Sequence, residues 1–224
     1  AALFATYSRA DEGEHRILVV GDSQAQGLAA GLQRQLRKDR SWRVIDRSKI
    51  STGLVYTTNY DWPAQARSVG DSEAGAIAVV MFGANDRPNV RIQGAIDQKL
   101  ADKWVPPYSE RIRTVVAGLA HACPTVIWVG HPIVRDPVFA EDMAFVNKLY
   151  KSESLAAGAA WFSTWELFAD ESGAFASHGK GMDGVTTRLR ADDGVHCTGA
   201  GYDLMANALL KVVRSSASET RGMP

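Results

Sequence analysis

Several ingredients are scarce in this chain, and each scarcity removes a class of function. Cysteine occurs only twice in 224 residues, at Cys123 and Cys197, too few for a disulfide framework. The pair neither proves nor excludes an oxidising compartment. Net charge is missing: 25 Lys and Arg balance 25 Asp and Glu. That balance gives no support to nucleic-acid or membrane-surface binding, both of which favour a basic patch. No apolar run approaches the roughly 20 residues of a membrane-spanning helix. Low-complexity tracts and internal repeats are absent. Glycine-rich phosphate loops are missing too: the Gly21–Gly27 turn has neither G-x-G-x-x-G nor Gly-Lys-Ser/Thr. No ligand cluster at zinc spacing is present. Ala1 to Glu14 lacks a basic segment followed by an apolar one, so no signal peptide is expected there. The sequence does not begin with methionine, and a mature or trimmed form is expected. Localisation stays open, with a periplasmic or secreted site favoured over the cytoplasm.

What is present reads as one ordinary globular domain, with 46% hydrophobic and 22% charged residues. We expect the domain over 15–214, an N-terminal extension over 1–14 and a C-terminal tail over 215–224. Arg16–Val20, Trp42–Asp46, Ala76–Phe82, Thr125–Val129 and Ala160–Ser163 read as strands, short and rich in β-branched or aromatic residues. Helical spacing runs from Ala25 to Leu36, Tyr108 to Ala122, Glu141 to Ala157 and Gly199 to Val213. Strands alternating with helices predict a three-layer α/β/α sandwich around a parallel, flavodoxin-like sheet of about five strands, order 2-1-3-4-5. That order opens a crevice at the carboxyl ends of the first and third strands. Residues 88–107 fit no regular element well and read as a long loop, with at most one helical turn, over that sheet end.

The chemistry-bearing residues fall at the same end. Gly21-Asp22-Ser23 follows the first strand and opens a helix, where the dipole favours developing negative charge. From this tripeptide alone, a helix cap is the better reading of Ser23. Gly70-Asp71-Ser72 has the same letters but precedes a strand, so it carries no expected chemistry. Gly53, after the second strand, and Asn85, in Gly83-Ala84-Asn85-Asp86 after the third, could offer N–H donors to an oxyanion. Asp193-Gly194-Val195-His196 precedes the last helix. Its spacing lets the carboxylate hold the imidazole Nδ1 proton and leave Nε2 free to act as a base. Asp192 competes with Asp193, and His131 after the fourth strand competes with His196. His15, His121 and His178 read as surface or structural residues. Asp22, Tyr56 and His131 are candidates for substrate contact. Tyr56, Tyr60 and Trp62 are as consistent with a sugar-stacking wall as with core aromatics. Cys123 falls at the amino edge of the sheet and Cys197 beside His196 at the carboxyl edge, so no bond between them is expected.

Together, GDS after the first strand, Gly53 after the second, GAND after the third and DGVH before the last helix resemble the SGNH (GDSL-like) hydrolase superfamily. Trp128–Pro132 and Asp193–Tyr202 look like a bacterial branch often left as a domain of unknown function. The resemblance spans Gly21 to His196. It implies Ser23 as nucleophile, His196 as base and Asp193 as its orienter. It also implies an oxyanion hole from the Ser23 and Gly53 N–H groups and the Asn85 side chain. Gln24 departs from the usual leucine, and Cys197 from the usual aromatic. The implied activity is ester hydrolysis without metal or cofactor, on a short acyl (acetyl) group of a glycan or small ester. Alternatives are a lipid or thioester acyl hydrolase or acyltransferase, a non-catalytic glycan-binding protein and, more remotely, a nucleotide-binding domain. Expected partners are the ester substrate alone, with no nucleic acid and no membrane span; the oligomeric state is open.

Overall fold

Alternate residues of a strand point to opposite faces, so a strand apolar throughout must be covered twice. The structure, a computed structural model, describes residues 14–55 and 57–221. It meets that demand with β1 (His15–Gly21), α1 (Ser23–Leu36), β2 (Trp42–Asp46), α2 (Trp62–Ser72) and β3 (Ile77–Met81). A hairpin of β4 (Arg91–Ile92) and β5 (Ala95–Ile96) follows, then α3 (Gln98–Ala120) and β6 (Thr125–Val129). The chain ends with α4 (Pro137–Ala156), β7 (Ala160–Phe162), a hairpin of β8 (His178–Lys180) and β9 (Thr186–Arg188), and α5 (Gly199–Arg221). The central sheet is parallel with order β2-β1-β3-β6-β7. With the hairpin strands left out of the count, this is the 2-1-3-4-5 order expected from the sequence.

Ile17 and Val19 join one apolar cluster with Leu28, Leu32, Leu209 and Val213 of α1 and α5. Leu18 and Val20 join the other, with Ala66, Ile112, Val116 and Val146 of α2, α3 and α4. Right-handed crossovers account for this division. The step from β1 to β2 runs one way along the sheet, and every later step to β7 runs the other way, so the helices change face. Winding reverses between β1 and β3, whose ends lie level through the Gly21–Met81 pairing.

Five features differ from the sequence reading. The segment 88–107 is no long loop: it holds the β4–β5 hairpin and the first turns of α3. Pro106 and Pro107 lie inside that helix, where each removes a backbone donor and normally breaks the run. Packing across them compensates, since Trp104 stacks on Tyr108 at 4.2 Å and lies 6.2 Å from Phe145. The helix α2 and the β8–β9 hairpin were not expected. The fourth strand's following helix begins at Pro137, capped by Asp136 accepting from Phe139 N, not at Glu141. The last helix continues to Arg221, so 215–221 is helix and not tail. Residues 1–13 of the expected extension lie outside the described residues.

The packing of α2 on α3 yields a prediction of sign. A Cβ on Gly118 would lie 2.9 Å from both Ala66 Cβ and Arg67 N. In an isolated helix Gly→Ala stabilises by about 1 kcal/mol. Here Gly118→Ala should destabilise by about 1–3 kcal/mol, because backbone must move to admit the methyl. Urea unfolding measures it; a stabilised variant would mean the two helices do not approach this closely.

Candidate active site

The exit of β1 is organised by Asp22. Its Oδ1 accepts from Gln24 N at 2.9 Å, which makes Asp22, and not Ser23, the cap of α1. Its Oδ2 accepts from Gly83 N at 3.2 Å and so ties the β1 exit to the β3 exit. Asp22 is fully buried. It is therefore an internal brace and not the substrate contact considered from the sequence. Burial pushes its carboxyl up to about 7, against the pull of the Gln24 N–H.

With the cap supplied by Asp22, the Ser23 hydroxyl faces the crevice. Its Oγ lies 2.8 Å from His196 Nε2. His196 Nδ1 is 2.6 Å from Asp193 Oδ2. Asp193 Oδ1 accepts from Val195 N at 2.8 Å and His196 N at 2.9 Å, folding the loop around its own carboxylate. Partial burial alone would raise this carboxyl; the bonds from the His196 ring and the two backbone N–H groups outweigh it and hold it at about 2. Asp192 points away, 94% exposed and paired with Arg188.

His131 is completely buried. Its Nδ1 donates to Pro132 O at 2.8 Å, and Asn147 clamps its backbone through bonds of 2.8 Å to N and O. Burial drives its pKa down to about 3, keeping the ring neutral. Its Nε2 faces Gln24 and not Ser23, so it is neither the rival base nor a surface for substrate. The remaining histidines are peripheral: His15 stacks on Trp42, His121 meets Asp71, and His178 meets Ser177. Tyr56 lies outside the described residues. Trp62 is a core residue whose Nε1 donates to Thr52 Oγ1 at 2.9 Å, with Tyr60 edge-on against it.

Asn85 Nδ2 donates to Thr52 O at 2.7 Å, which joins it to the Gly53 loop and leaves its second amide hydrogen. Among the described residues nothing accepts from the backbone N–H of Ser23 or Gly53. Asp86, quoted in the GAND motif without a role, holds this arrangement. A Cβ on Gly53 would lie 2.2 Å from Asp86 Oδ1. The carboxylate accepts from Leu54 N, Val55 N and Tyr108 Oη at 2.8–2.9 Å. Arg111 donates to Leu54 O and Val55 O from the other side.

Two further residues escape sequence reasoning. Arg190, fully buried, donates to Ile133 O, Val195 O and His196 O and lies over the Phe168 and Phe175 rings. Gln24, also buried, reaches Val195 O and Tyr202 Oη. No local pattern marks Arg190, and the sequence marks Gln24 only as a departure from the usual leucine, without a role. Cys123 and Cys197 are free and buried. Burial raises the thiols to about 11 and about 12, so Cys197 offers no thiolate beside His196.

The buried Asp22 carries a prediction about pH. Its folded pKa near 7 exceeds the unfolded value near 3.8, so the folded state holds the proton more strongly. The stability that this proton confers is complete below about pH 4 and is lost as pH rises through about 7. Asp22→Asn removes the titration. Urea unfolding from pH 4 to 8 should show the wild type losing stability relative to the variant with rising pH. Parallel profiles would mean that Asp22 titrates as it does in the unfolded chain.

The profile of a family described as a protein of unknown function (DUF459) matches residues 16–212. Comparison with curated proteins finds no matching sequence. Among solved structures, an acetylxylan esterase from Geobacillus stearothermophilus superposes with a TM-score of 0.60 at 16% identity, over 89% of this chain and 94% of that one. An acetyl xylan esterase, AlAXEase, gives 0.64 at 13% identity, covering 88% and 99%. A GDSL-like lipase from Bacteroides thetaiotaomicron gives 0.59 at 16% identity, covering 92% and 90%. The chain belongs to the DUF459 family, and it shares over most of its length the α/β/α fold of the GDSL-like (SGNH) esterases.

Proposed function

We propose that this protein is a serine ester hydrolase that removes short acyl groups, acetyl above all, from a glycan or small ester. One observation carries the reading: Ser23 Oγ, His196 Nε2, His196 Nδ1 and Asp193 Oδ2 form a continuous chain with links of 2.8 and 2.6 Å. A serine hydroxyl is a weak nucleophile until an adjacent base takes its proton, and the base must be held by a third group. Ser23 attacks the ester carbonyl while His196 Nε2 takes the hydroxyl proton. Asp193 keeps the remaining imidazole proton on Nδ1 and stabilises the imidazolium.

The carbonyl oxygen becomes an anion in this step. The Ser23 N–H at the start of α1, the Gly53 N–H and the second Asn85 amide hydrogen are its donors. His196 then protonates the leaving alcohol. In the second half, His196 takes a proton from the water that attacks the acyl-enzyme carbonyl, then returns it to Ser23 Oγ as the Oγ–acyl bond breaks and the carboxylic acid leaves. The acetyl and glycan preference draws on the fold's acetylxylan-esterase neighbours, which is support by analogy.

A longer acyl group is the second reading, and one observation favours it. An apolar cavity of about 500 Å³, lined by Ile133, Pro137, Ala140, Trp165 and Phe175, adjoins Arg135. Arg135 N donates to Gly194 O at 3.0 Å, so the cavity flanks the loop that carries His196. A series of p-nitrophenyl esters of rising chain length, with acetylated sugars alongside, separates the two readings.

Ser23→Ala should abolish turnover of p-nitrophenyl acetate and labelling by a fluorophosphonate while the protein remains folded, since Asp22 supplies the helix cap. Normal turnover by the folded variant would remove Ser23 from the mechanism. A wild type that folds yet neither labels nor turns over any ester would point to a non-catalytic glycan-binding protein. For Asn85→Ala we expect kcat to fall on the order of 10²–10³-fold with KM changed far less, because the donor acts on charge formed in the transition state. A raised KM at normal kcat would make Asn85 a residue of ground-state binding.

A further inference from the structure

The serine and its base come from opposite ends of the chain, and something must hold them in register. The loop 191–196 is fastened to its surroundings by Arg190, which donates to Val195 O and His196 O. Arg135 donates to Asp192 O and Ala191 O. Among the described residues neither arginine donates to α1. Apart from the bond between Ser23 and His196 themselves, only one hydrogen bond joins α1 to that loop among the described residues. Gln24 Nε2 donates to Val195 O at 2.9 Å. It links the residue after the serine to the residue before the histidine.

The amide of Gln24 is held from its other side as well. Tyr202 Oη, in the first turn of α5, donates to Gln24 Oε1 at 3.0 Å. His131 Nδ1 spends its proton on Pro132 O, which leaves His131 Nε2 as an acceptor facing the second Gln24 N–H at 3.4 Å. An oxygen that must accept and a nitrogen flanked by two acceptors permit a single orientation of the amide. Gln24 itself is fully buried, so no water competes for these bonds.

Resting on the hydrolase reading, we propose that Gln24 is a positioning residue: its buried amide locks the His196 loop to the helix that begins with Ser23. Leucine, usual at this position in the superfamily, makes none of these bonds. The base loop is otherwise exposed at its tip, where the His196 and Asp193 side chains are 38% and 48% exposed. A tie to α1 keeps Nε2 within proton-transfer distance of Oγ without using the substrate to do so. Its removal acts on the chemical step and not on substrate affinity.

Gln24→Leu removes the tie and leaves Tyr202 Oη buried without an acceptor, a costly state. The double variant Q24L/Y202F removes the stranded hydroxyl as well, and it keeps the test open should Q24L alone fail to fold. On the full-length chain, Tm, kcat and KM for p-nitrophenyl acetate and the rate of Ser23 labelling by a fluorophosphonate are measured. We expect Q24L to lower Tm and Q24L/Y202F to recover it. In both variants kcat should fall roughly 10–10²-fold, the scale of a misplaced catalytic group. KM should stay within about twofold, and labelling should slow in parallel with kcat. Recovery of kcat together with Tm would make Gln24 a stability residue and overturn the proposal, as would folded Q24L with normal kcat. A folded wild type that neither hydrolyses ester nor labels at Ser23 overturns the hydrolase reading and the role of Gln24 with it.

Discussion

The carboxylate of Asp22 sits at the junction on which the candidate site depends. It is sealed from water, and its two oxygens take the N–H of Gln24 and the N–H of Gly83. The first bond starts α1 in the right direction and relieves Ser23 of the capping role that its position suggests. The second binds the loop after β3 to the turn after β1, across the point where the sheet reverses its winding. A buried acid is costly unless its lone pairs are met, so both backbone segments are drawn to it. Asp86 repeats the device one loop further on, holding Leu54 and Val55 through their N–H groups. Two buried carboxylates thus space three loops around Ser23, and the charge of Asp86 adds to the burial that raises the Asp22 carboxyl.

The opposite wall is built with cations and amides. Arg190 is buried with backbone carbonyls and aromatic faces as its partners. Such a site suits a guanidinium, whose flat fork donates in several directions and stacks on rings. The carbonyls it collects come from the loops after β6 and before α5, so it sets one against the other. Gln24 then sets that assembly against α1. Acids bracing the Ser23 side and donors bracing the His196 side leave the Ser23–His196–Asp193 line at the seam between them.

Much of this could be read without coordinates. The apolar runs at β1, β3 and β6 admit only strands covered on both faces, and alternation with helical stretches then dictates a parallel sheet. Two of the loop blocks also carry their geometry locally. Asp193 and His196 are three residues apart, close enough for one turn to present both. Ser23 follows a strand and opens a helix, which places it at the carboxyl edge whatever else the chain does. The stretch from Pro88 to Pro107 misled for an equally local reason: prolines at 106 and 107 signal a break, whereas tertiary packing, including Trp104 on Tyr108 and Phe145, accompanies the helix through them.

What the sequence by itself determined was the five strands of the central sheet, the helices α1, α3, α4 and α5 in outline, their order and the short-range pairs within one loop, because backbone sterics and hydrophobic periodicity act between neighbours. What only the tertiary structure decided was which distant groups meet. It seated Asp22 as the cap, sealed His131 away from Ser23 and gave Asp86 and Arg190 their bracing roles. It also joined Gln24 to Val195 and Tyr202, 171 and 178 residues away. Those partners are chosen by the crossing of helices over the sheet and by the demand that every buried polar group find a mate. Both conditions exist only once the chain has closed on itself.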